Sequence, residues 1–303
     1  MIAFAGIDLG GTKSEAQLFD ANWRLIDKQR VATPDSYQSL VKTVADQVKW
    51  SLERAGQAIP VGIGAPGLVD DEGKTFTANL PAKGKPFPAD IAKAAGHSIT
   101  YVNDCRALAL SEAAFGAGQG YSTVMSLIIG TGVGGGVVFD GHLRSGPSSC
   151  GGEFGHMAAS AAAVGPHGLQ IHQCGCGRIG CVETYIAGPG LVRLAQEMTG
   201  KDMTAEEIGR TKDQTGPAQD VWNVWLDVTA DLLLTLIQAV DPDIIVLGGG
   251  LSKISNVTAD LTERLSKKQI SGFGLPSIVV ASGGDASGAR GAALAAAQEN
   301  GHV

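Results

Sequence analysis

Short apolar runs that end in glycine recur along the chain. Residues 2–9 form the first run, which predicts a buried strand and leads into the pair Gly10-Gly11. Two further strands are predicted at 16–19 and 25–28, with the turn residues Asp20-Ala21-Asn22 between them. A doubly wound dinucleotide-binding fold does not begin with successive antiparallel strands, so this opening argues against one.

The same pattern restarts in the middle of the chain. Strands are predicted at 123–129, 135–139 and 142–144, and Asp140-Gly141 joins the last two as a hairpin. We interpret the repetition as an internal duplication of one supersecondary unit, which predicts two similar domains. No flexible linker separates them, so we place the boundary near residue 119, where the pattern restarts.

The remaining elements are predicted from apolar periodicity and from turn residues. Apolar positions three and four residues apart, such as Leu40, Val44 and Val48, predict a helix at about 36–55. The other predicted helices cover 105–115, 183–198, 217–240 and 289–299, and the other predicted strands cover 61–64, 99–102, 244–247 and 277–280.

Composition narrows the class of protein. The 303 residues are 44% hydrophobic, which excludes a disordered chain, and 43 of them are glycines without the triplet period of collagen. A net charge of −7 disfavours nucleic acid as a partner. Asp8 interrupts the opening apolar run, and we expect neither a signal peptide nor a membrane span. We therefore expect a cytoplasmic α/β protein.

Three glycine-rich turns each follow a predicted apolar strand. They cover residues 10–13, 130–136 and 248–250. Glycine lets the backbone approach an anion and direct successive N–H groups at it, so phosphate binding is one interpretation. Asp8 fits beside a phosphate only if Mg²⁺ lies between them, directly or through water. The alternative is that these glycines simply allow tight hairpins.

Two segments match the dinucleotide-binding pattern G-x-G-x-x-G without its context. They begin at Gly62 and Gly130, and no helix is predicted directly after either. A Rossmann site is therefore not predicted. A P-loop is not predicted either, because residues 67–75 resemble that motif but have one residue too many between their two glycines.

Asn103-Asp104 is the candidate catalytic pair. It lies between a predicted strand and a predicted helix, where carboxylates commonly act as N-caps. The functional alternative is that Asp104 acts as a general base, taking a proton from a hydroxyl that attacks a phosphoryl group.

Three of the five cysteines predict a metal site. Cys174, Cys176 and Cys181 lie within eight residues on a glycine-rich loop, which favours structural zinc over disulfides. The fourth ligand is one of three histidines, His156, His167 or His172, and His156 is preferred because glycines also flank it. The remaining two cysteines, Cys105 and Cys150, are interpreted as ordinary core or surface residues.

Taken together, these segments resemble the ROK family of bacterial sugar kinases, which belongs to the actin-like ATPase and hexokinase superfamily. The resemblance rests on residues 8–13, 103–104, 130–136, 152–157 and 174–183. Within the family, the chain is most similar to bacterial N-acetyl-D-glucosamine kinases at residues 78–81, 84–86 and 284–288.

The resemblance implies an α/β fold of two actin-like (ribonuclease H-like) domains flanking a cleft that holds sugar and ATP. The first domain would comprise residues 1–119, completed by a C-terminal helix at about 288–303. The second would comprise 120–287 and include the zinc loop. A homodimer is also implied.

The resemblance also implies roles for individual residues. Asp104 would be the base on the sugar 6-hydroxyl. The other sugar-binding residues would be Asn79, Asn103, Glu153, His156 and Glu183. The nucleotide and its Mg²⁺ would be held by Asp8, Gly10, Gly11, Thr12, Lys13, Thr131, Gly132 and Gly249. Zinc would be held by His156, Cys174, Cys176 and Cys181.

Three other functions are compatible with parts of the pattern. A kinase for glucose or N-acetylmannosamine would share every motif named above. A sugar-responsive repressor would need an N-terminal DNA-binding segment, and we expect none because the phosphate motif already begins at Asp8. A sugar sensor without catalysis is disfavoured by the intact Asp8, Thr12 and Asp104.

Overall fold

A computed structural model describes residues 1–284 and 287–302 of the chain. Asp285 and Ala286, which belong to the predicted 284–288 motif, lie outside the described residues. So does Val303, the last residue of the predicted C-terminal segment.

The strands begin and end close to the predicted positions. They are β1 Ile2–Leu9, β2 Lys13–Asp20, β3 Leu25–Ala32, β4 Val61–Ala65, β5 Leu68–Val69, β6 Thr75–Phe76, β7 Thr100–Asn103, β8 Thr123–Ile129, β9 Val133–Phe139, β10 His142–Leu143, β11 Ile244–Gly248 and β12 Ser277–Val280. The short β5–β6 pair was not predicted. It follows β4 directly, which confirms that no helix follows the G-x-G-x-x-G pattern at Gly62.

The helices include several that the sequence pattern did not predict. They are α1 Tyr37–Ala55, α2 Phe87–Ala95, α3 Asp104–Phe115, α4 Ala161–Val164, α5 Glu183–Ile186, α6 Gly188–Thr199, α7 Ala205–Thr211, α8 Pro217–Val240, α9 Val257–Ser266 and α10 Ser287–Glu299. Helices α2, α4, α7 and α9 are the unpredicted ones.

The first sheet has the strand order β3-β2-β1-β4-β7. Strand β1 pairs antiparallel with β2 and parallel with β4, and β4 pairs parallel with β7. Asp8 stands opposite Glu15 on β2 and Gly64 on β4. The buried apolar residues of β1 and β4 share one core with α1 and α2.

The second sheet repeats this order as β10-β9-β8-β11-β12. Strand β11 pairs parallel with both β8 and β12, and β10 pairs antiparallel with β9. The two sheets therefore have the same strand order, which confirms the predicted duplication and the actin-like fold class.

Helix α10 packs closely on the first sheet. A Cβ atom at Gly6 would lie 1.8 Å from the carbonyl oxygen of Ala289, and one at Gly62 would lie 1.8 Å from that of Ala292. Glycine is therefore required at both strand positions for the helix to lie this near the strands. The alanines of α10 that face the sheet are buried.

The chain divides into two compact units. Unit 1 contains Met1–Gly120, Gly136–Gly152 and Ser282–Val303, and unit 2 contains Tyr121–Gly135 and Glu153–Ala281. The domain boundary expected near residue 119 stays a prediction.

One predicted helix is interrupted. The continuous helix expected over 183–198 is wrong, because Ala187 is extended (φ −63°, ψ 164°) and separates α5 from α6. Pro189 lies in the first turn of α6, where its missing N–H removes no helix hydrogen bond. Gly190 allows α6 to start against Tyr185, since a Cβ there would lie 2.6 Å from the Tyr185 carbonyl carbon.

Helix α8 is long and apolar enough to cross a membrane by length and composition. However, 56% of its most apolar 18-residue window is buried inside the protein. The core helix of a soluble protein has these same properties, so α8 is weak evidence for a membrane span.

Candidate active site and metal centre

The first glycine turn connects β1 to β2. The Gly10 N–H donates to the Lys13 carbonyl oxygen over 2.9 Å, and the Thr33 hydroxyl donates to the Gly10 carbonyl over 2.7 Å. Gly11, Thr12 and Lys13 are exposed at the tip of the turn. A Cβ at Gly11 would lie 3.1 Å from the Asn79 carbonyl oxygen, so the exposed Asn79 lies directly beside the turn.

Asp8 lies near the end of β1, next to this turn. Burial raises its pKa to about 6, the nearby Asp104 carboxylate adds to the increase, and Lys13 partly opposes it. A Cβ at Gly288 would lie 2.8 Å from the Asp8 carboxyl carbon, so the first turn of α10 forms a wall beside the carboxylate. Gly288 was predicted only as part of a similar motif, with no role at the site.

Asn103 is the N-cap of α3, a role that the sequence also allows for the carboxylate of Asp104. Its side-chain oxygen accepts from the N–H groups of Cys105 and Arg106, and its amide nitrogen donates to the Gly67 carbonyl over 3.3 Å. Because Asn103 satisfies the helix terminus, the Asp104 carboxylate is not required as its main cap.

Asp104 is the first residue of α3. One of its oxygens accepts from the Cys105 N–H over 2.9 Å. Burial raises the pKa of Asp104, and the hydrogen bonds at Cys105 only partly offset this. A carboxyl group with a raised pKa accepts a proton more readily than an ordinary aspartate, as a general base requires.

The second glycine turn connects β8 to β9. The Gly130 N–H donates to the Gly132 carbonyl over 2.9 Å, and Gly130 in turn accepts from the Gly188 N–H over 2.8 Å at the start of α6. Thr131 and Gly132 are exposed. Gly249, after β11, has φ 84°, and a Cβ there would lie 2.4 Å from the Ile129 carbonyl oxygen.

The structure groups four predicted metal ligands in unit 2. The donor atoms of His156, Cys174, Cys176 and Cys181 all lie within 4.8 Å of one another. The Cys176 and Cys181 sulfurs are 3.6 Å apart, and Cys174 Sγ lies 3.7 Å from His156 Nδ1. A tetrahedral Zn²⁺ with Zn–S bonds of about 2.3 Å separates its sulfurs by about 3.8 Å, so this donor set fits zinc.

Glycines shape the chain around this cluster. Cys174 to Arg178 form a tight loop closed by a 2.8 Å hydrogen bond from the Cys174 N–H to the Arg178 carbonyl, with Gly177 at φ 91°. His156 ends a short 3₁₀ turn, Phe154–His156. A Cβ at Gly155 would lie 2.3 Å from the Val133 carbonyl oxygen, so glycine lets this turn pack on the start of β9.

The other two candidate histidines have different partners. His167 Nε2 lies 3.1 Å from Asp227, and His172 Nε2 lies 3.3 Å from Glu197. Cys150 is exposed, and neither it nor Cys105 belongs to the metal-ligand group found among the described residues. Burial disfavours the ionised form of the Cys174 and Cys181 thiols and so raises their pKa. A bound cation would act in the opposite direction and favour the thiolates.

Glu183 links the cysteine cluster to the second glycine turn. One carboxylate oxygen lies 3.0 Å from Cys174 Sγ and 3.4 Å from His156 Nδ1, and the other accepts from the Val133 N–H over 3.3 Å. Glu153 lies on the other side of the imidazole, 3.9 Å from His156 Nε2. The two histidine nitrogens therefore face different groups: Nδ1 faces Cys174 and Glu183, and Nε2 faces Glu153.

Each unit thus collects one part of the predicted site. Unit 1 contains Asp8, Asp104, Asn79 and the 10–13 turn. Unit 2 contains Thr131, Gly132 and Gly249 together with the cysteine cluster and its two glutamates.

Comparison with known proteins identifies one family for this chain. Residues 4–299 match the ROK family. The chain is 40% identical over 294 residues to N-acetylgalactosamine kinase AgaK of Shewanella sp. (strain ANA-3), covering 96% of each chain. It is also 40% identical over 298 residues to N-acetyl-D-glucosamine kinase of Escherichia coli O127:H6 (strain E2348/69 / EPEC), covering 96% of this chain and 98% of that one.

Solved structures are similar over the whole chain. A ROK hexokinase from Thermus thermophilus superposes with a TM-score of 0.87 at 31% identity, covering 100% of both chains. A ROK family glucokinase from Streptomyces griseus, in complex with glucose and AMPPNP, superposes with a TM-score of 0.77 at 29% identity, covering 98% of this chain and 100% of that one.

Proposed function

The chain belongs to the ROK family, and from that premise we propose that it is an ATP-dependent sugar kinase that phosphorylates the 6-hydroxyl of N-acetyl-D-glucosamine. The products would be N-acetyl-D-glucosamine 6-phosphate and ADP. The observation that carries the proposal is the pair of half-buried carboxylates, Asp8 and Asp104. Burial and the nearby Asp104 charge raise the pKa of Asp8, which lies next to the exposed residues 11–13 of the first glycine turn.

Asp104 acts as the general base in this proposal. Its carboxylate takes the proton of the 6-hydroxyl while the sugar oxygen bonds to the γ-phosphorus and the bond to the β-phosphate oxygen breaks, releasing ADP. The raised pKa of Asp104 brings its basicity nearer to the pH at which a cytoplasmic enzyme works.

The glycine turns bind the nucleotide in this proposal. The residues that would contact the phosphates are Gly10, Gly11, Thr12, Lys13, Thr131 and Gly132, with Gly249 near the base or ribose. Exposed main-chain N–H groups, two threonine hydroxyls and one ammonium group suit a polyanion. Asp8 would hold a nucleotide-bound Mg²⁺, directly or through water, and this ion would neutralise phosphate charge.

Five polar residues are assigned to the sugar hydroxyls in this proposal. They are Asn79, Asn103, Glu153, His156 and Glu183. The Asn103 side-chain oxygen is already used in the helix cap and one amide hydrogen is donated to Gly67, so Asn103 would contribute its second amide hydrogen. A sugar without a matching hydroxyl leaves such groups unpaired, which gives discrimination between sugars.

We assign a structural Zn²⁺ to His156, Cys174, Cys176 and Cys181. Four protein ligands leave no open coordination position, so zinc would stabilise the loop rather than take part in the reaction. His156 would bind zinc through Nδ1, which faces the cysteines, and keep Nε2 for the sugar.

The proposal extends to organisation in the cell. We propose the two domains as 1–119 with about 288–303, and 120–287, in a cytoplasmic homodimer. Light scattering coupled to size-exclusion chromatography tests the dimer, and a mass equal to the 31.0 kDa of one chain would contradict it.

N-acetyl-D-galactosamine is a second candidate sugar. A relative named for that substrate is 40% identical to this chain, the same identity as the relatives named for N-acetyl-D-glucosamine. The two sugars differ only at the 4-hydroxyl, so the outcome depends on which polar group faces that position.

A coupled ADP-release assay over a sugar panel tests the proposal. The panel contains N-acetyl-D-glucosamine, N-acetyl-D-galactosamine, N-acetylmannosamine and glucose. We expect the highest kcat/KM with N-acetyl-D-glucosamine. A higher value with another sugar would correct the substrate, and sugar binding without ADP release would indicate a sensor instead of a kinase.

A further inference from the structure

Glu112, on the last turn of α3, accepts four hydrogen bonds through its buried carboxylate. One oxygen accepts from the Gly283 N–H over 2.7 Å and from the Ser287 hydroxyl over 3.0 Å. The other accepts from the Ala117 N–H over 3.0 Å and from the Ser282 N–H over 2.9 Å. Glu112 is fully buried, so these bonds replace its hydration.

The backbone around this carboxylate is shaped to receive it. A Cβ at Gly116 would lie 2.2 Å from one Glu112 oxygen, and a Cβ at Gly283 would lie 2.6 Å from the other. Burial alone would raise the pKa of Glu112, but the amide donors outweigh it and hold the pKa below its usual value. The group is therefore a carboxylate at neutral pH.

Glu112 joins two segments that are far apart in the sequence. Ser282 and Gly283 begin the last chain segment of unit 1, and Ser287 is the first residue of α10. Further along, a Cβ at Gly291 would lie 1.7 Å from the Ala107 carbonyl oxygen, so the first turns of α10 lie directly on α3.

Each of these two helices contains or contacts one of the two carboxylates that are proposed for catalysis. Helix α3 begins with Asp104. Next to Ser287, Gly288 of α10 lies against the Asp8 carboxylate. A shift of the α10 start relative to α3 would therefore move Gly288, which lies against Asp8. The position of the Asp8 carboxylate relative to Asp104 would then change.

We propose that Glu112 is a positioning residue for phosphoryl transfer, which fixes the start of α10 on α3 and so holds Asp8 in place relative to Asp104. This inference rests on the proposed kinase function. It assigns Glu112 no contact with either substrate.

Glu112→Gln is the sharpest variant. Glutamine has nearly the same shape, but its NH₂ group must face backbone N–H donors on whichever side it takes. Displacements of about 1 Å can lower turnover by roughly 10²-fold. We expect kcat to fall by about 10-fold to 100-fold, while KM for sugar and for ATP each stay within about twofold.

Two serine variants provide a matched pair, which also decides the question if Glu112→Gln does not fold. Ser287→Ala removes one of the four donors to Glu112. Ser51→Ala removes an equally buried serine hydroxyl in α1, where it donates to the Gln47 carbonyl. We expect Ser287→Ala to lower kcat several-fold and Ser51→Ala to lower only Tm.

The outcomes separate the inference from the proposed function. If wild-type protein releases ADP while Ser287→Ala, and Glu112→Gln where it folds, keep the wild-type kcat, Glu112 has only a structural role and the inference is wrong. If wild-type protein releases no ADP with any sugar of the panel, the proposed kinase function fails, and the inference fails with it.

Discussion

The β1–β2 and β8–β9 segments have nearly the same local pattern and carry different chemistry. Residues 7–20 and 127–140 align without a gap, with Gly10 opposite Gly130 and both segments ending in Phe-Asp. The two sheets also have the same strand order. Yet Asp8 in the first copy corresponds to Ile128 in the second.

This difference indicates that the two copies of the unit have different roles in the proposed reaction. The glycine turn that the copies share suits phosphate in both places. The first copy adds the carboxylates Asp8 and Asp104, and the second adds the cysteine cluster with Glu153 and Glu183. The predictions below test this division, from the largest expected effect to the smallest.

Asp104→Asn should lower kcat by about 10²–10⁴-fold, because the amide cannot accept the hydroxyl proton. Sugar binding measured by calorimetry should change little. The control is Asp243→Asn in the second copy, where the carboxylate accepts from the Thr123 N–H over 2.8 Å. The control should keep its turnover, and near-normal turnover of Asp104→Asn would remove this residue from the role of base.

Cys176→Ser should abolish stoichiometric zinc and lower the free energy of unfolding by at least about 3 kcal/mol, because metal binding stabilises the loop. Elemental analysis and denaturant unfolding measure both effects. Cys150→Ser is the control, since that exposed thiol lies outside the cluster. Full metal content in Cys176→Ser would contradict the ligand assignment.

Asp8→Asn should stabilise the free protein at pH 8 by about 3 kcal/mol in buffer without Mg²⁺. The pKa of Asp8 is raised from 3.8 to about 6 on folding, so the native state loses stability as the pH rises from about 4 to about 6, and the full loss remains at higher pH. Below about pH 4 the carboxyl is protonated in both states, and the gain should disappear.

The exposed Asp46, which pairs with Lys42, provides the control for this measurement. Asp46→Asn should change stability by less than about 1 kcal/mol at either pH. A gain for Asp8→Asn that is the same at pH 4 and pH 8 would contradict the buried-charge explanation.

Thr12→Ala and Thr131→Ala should each raise KM for ATP by about fivefold, since each removes one hydroxyl donor worth about 1 kcal/mol. Thr262→Ala, on α9, is the control because its hydroxyl donates to the Thr258 carbonyl within the helix. If only one turn variant changes KM, the two glycine turns do not share the phosphate-binding role.

The parts that sequence alone predicted depend on local pattern. The strand ends, the glycine turns and the cysteine loop are determined by residues that are close together in the chain. The duplication was visible because the turn and hairpin signals repeat in the same order. The sequence favours His156 over His167 and His172 as the fourth metal donor, and the structure groups His156 with the three cysteines.

The missed parts depend on contacts between distant residues or on weak periodicity. Helix α2 has nine residues and α7 has seven, so neither repeats its apolar positions often enough to be recognised. The break at Ala187 depends on how α6 packs near Tyr185. No local pattern distinguishes Glu112 from other helix residues, because its partners Ser282 and Ser287 lie far away in the sequence.

A crystal structure with N-acetyl-D-glucosamine and a non-hydrolysable ATP analogue tests the central claim most directly. The account predicts one Asp104 carboxylate oxygen at about 2.6–3.2 Å from the sugar 6-hydroxyl oxygen, with the γ-phosphate on the far side of that hydroxyl. An Asp104 side chain that points away from the sugar and bonds only to the start of α3 would contradict it.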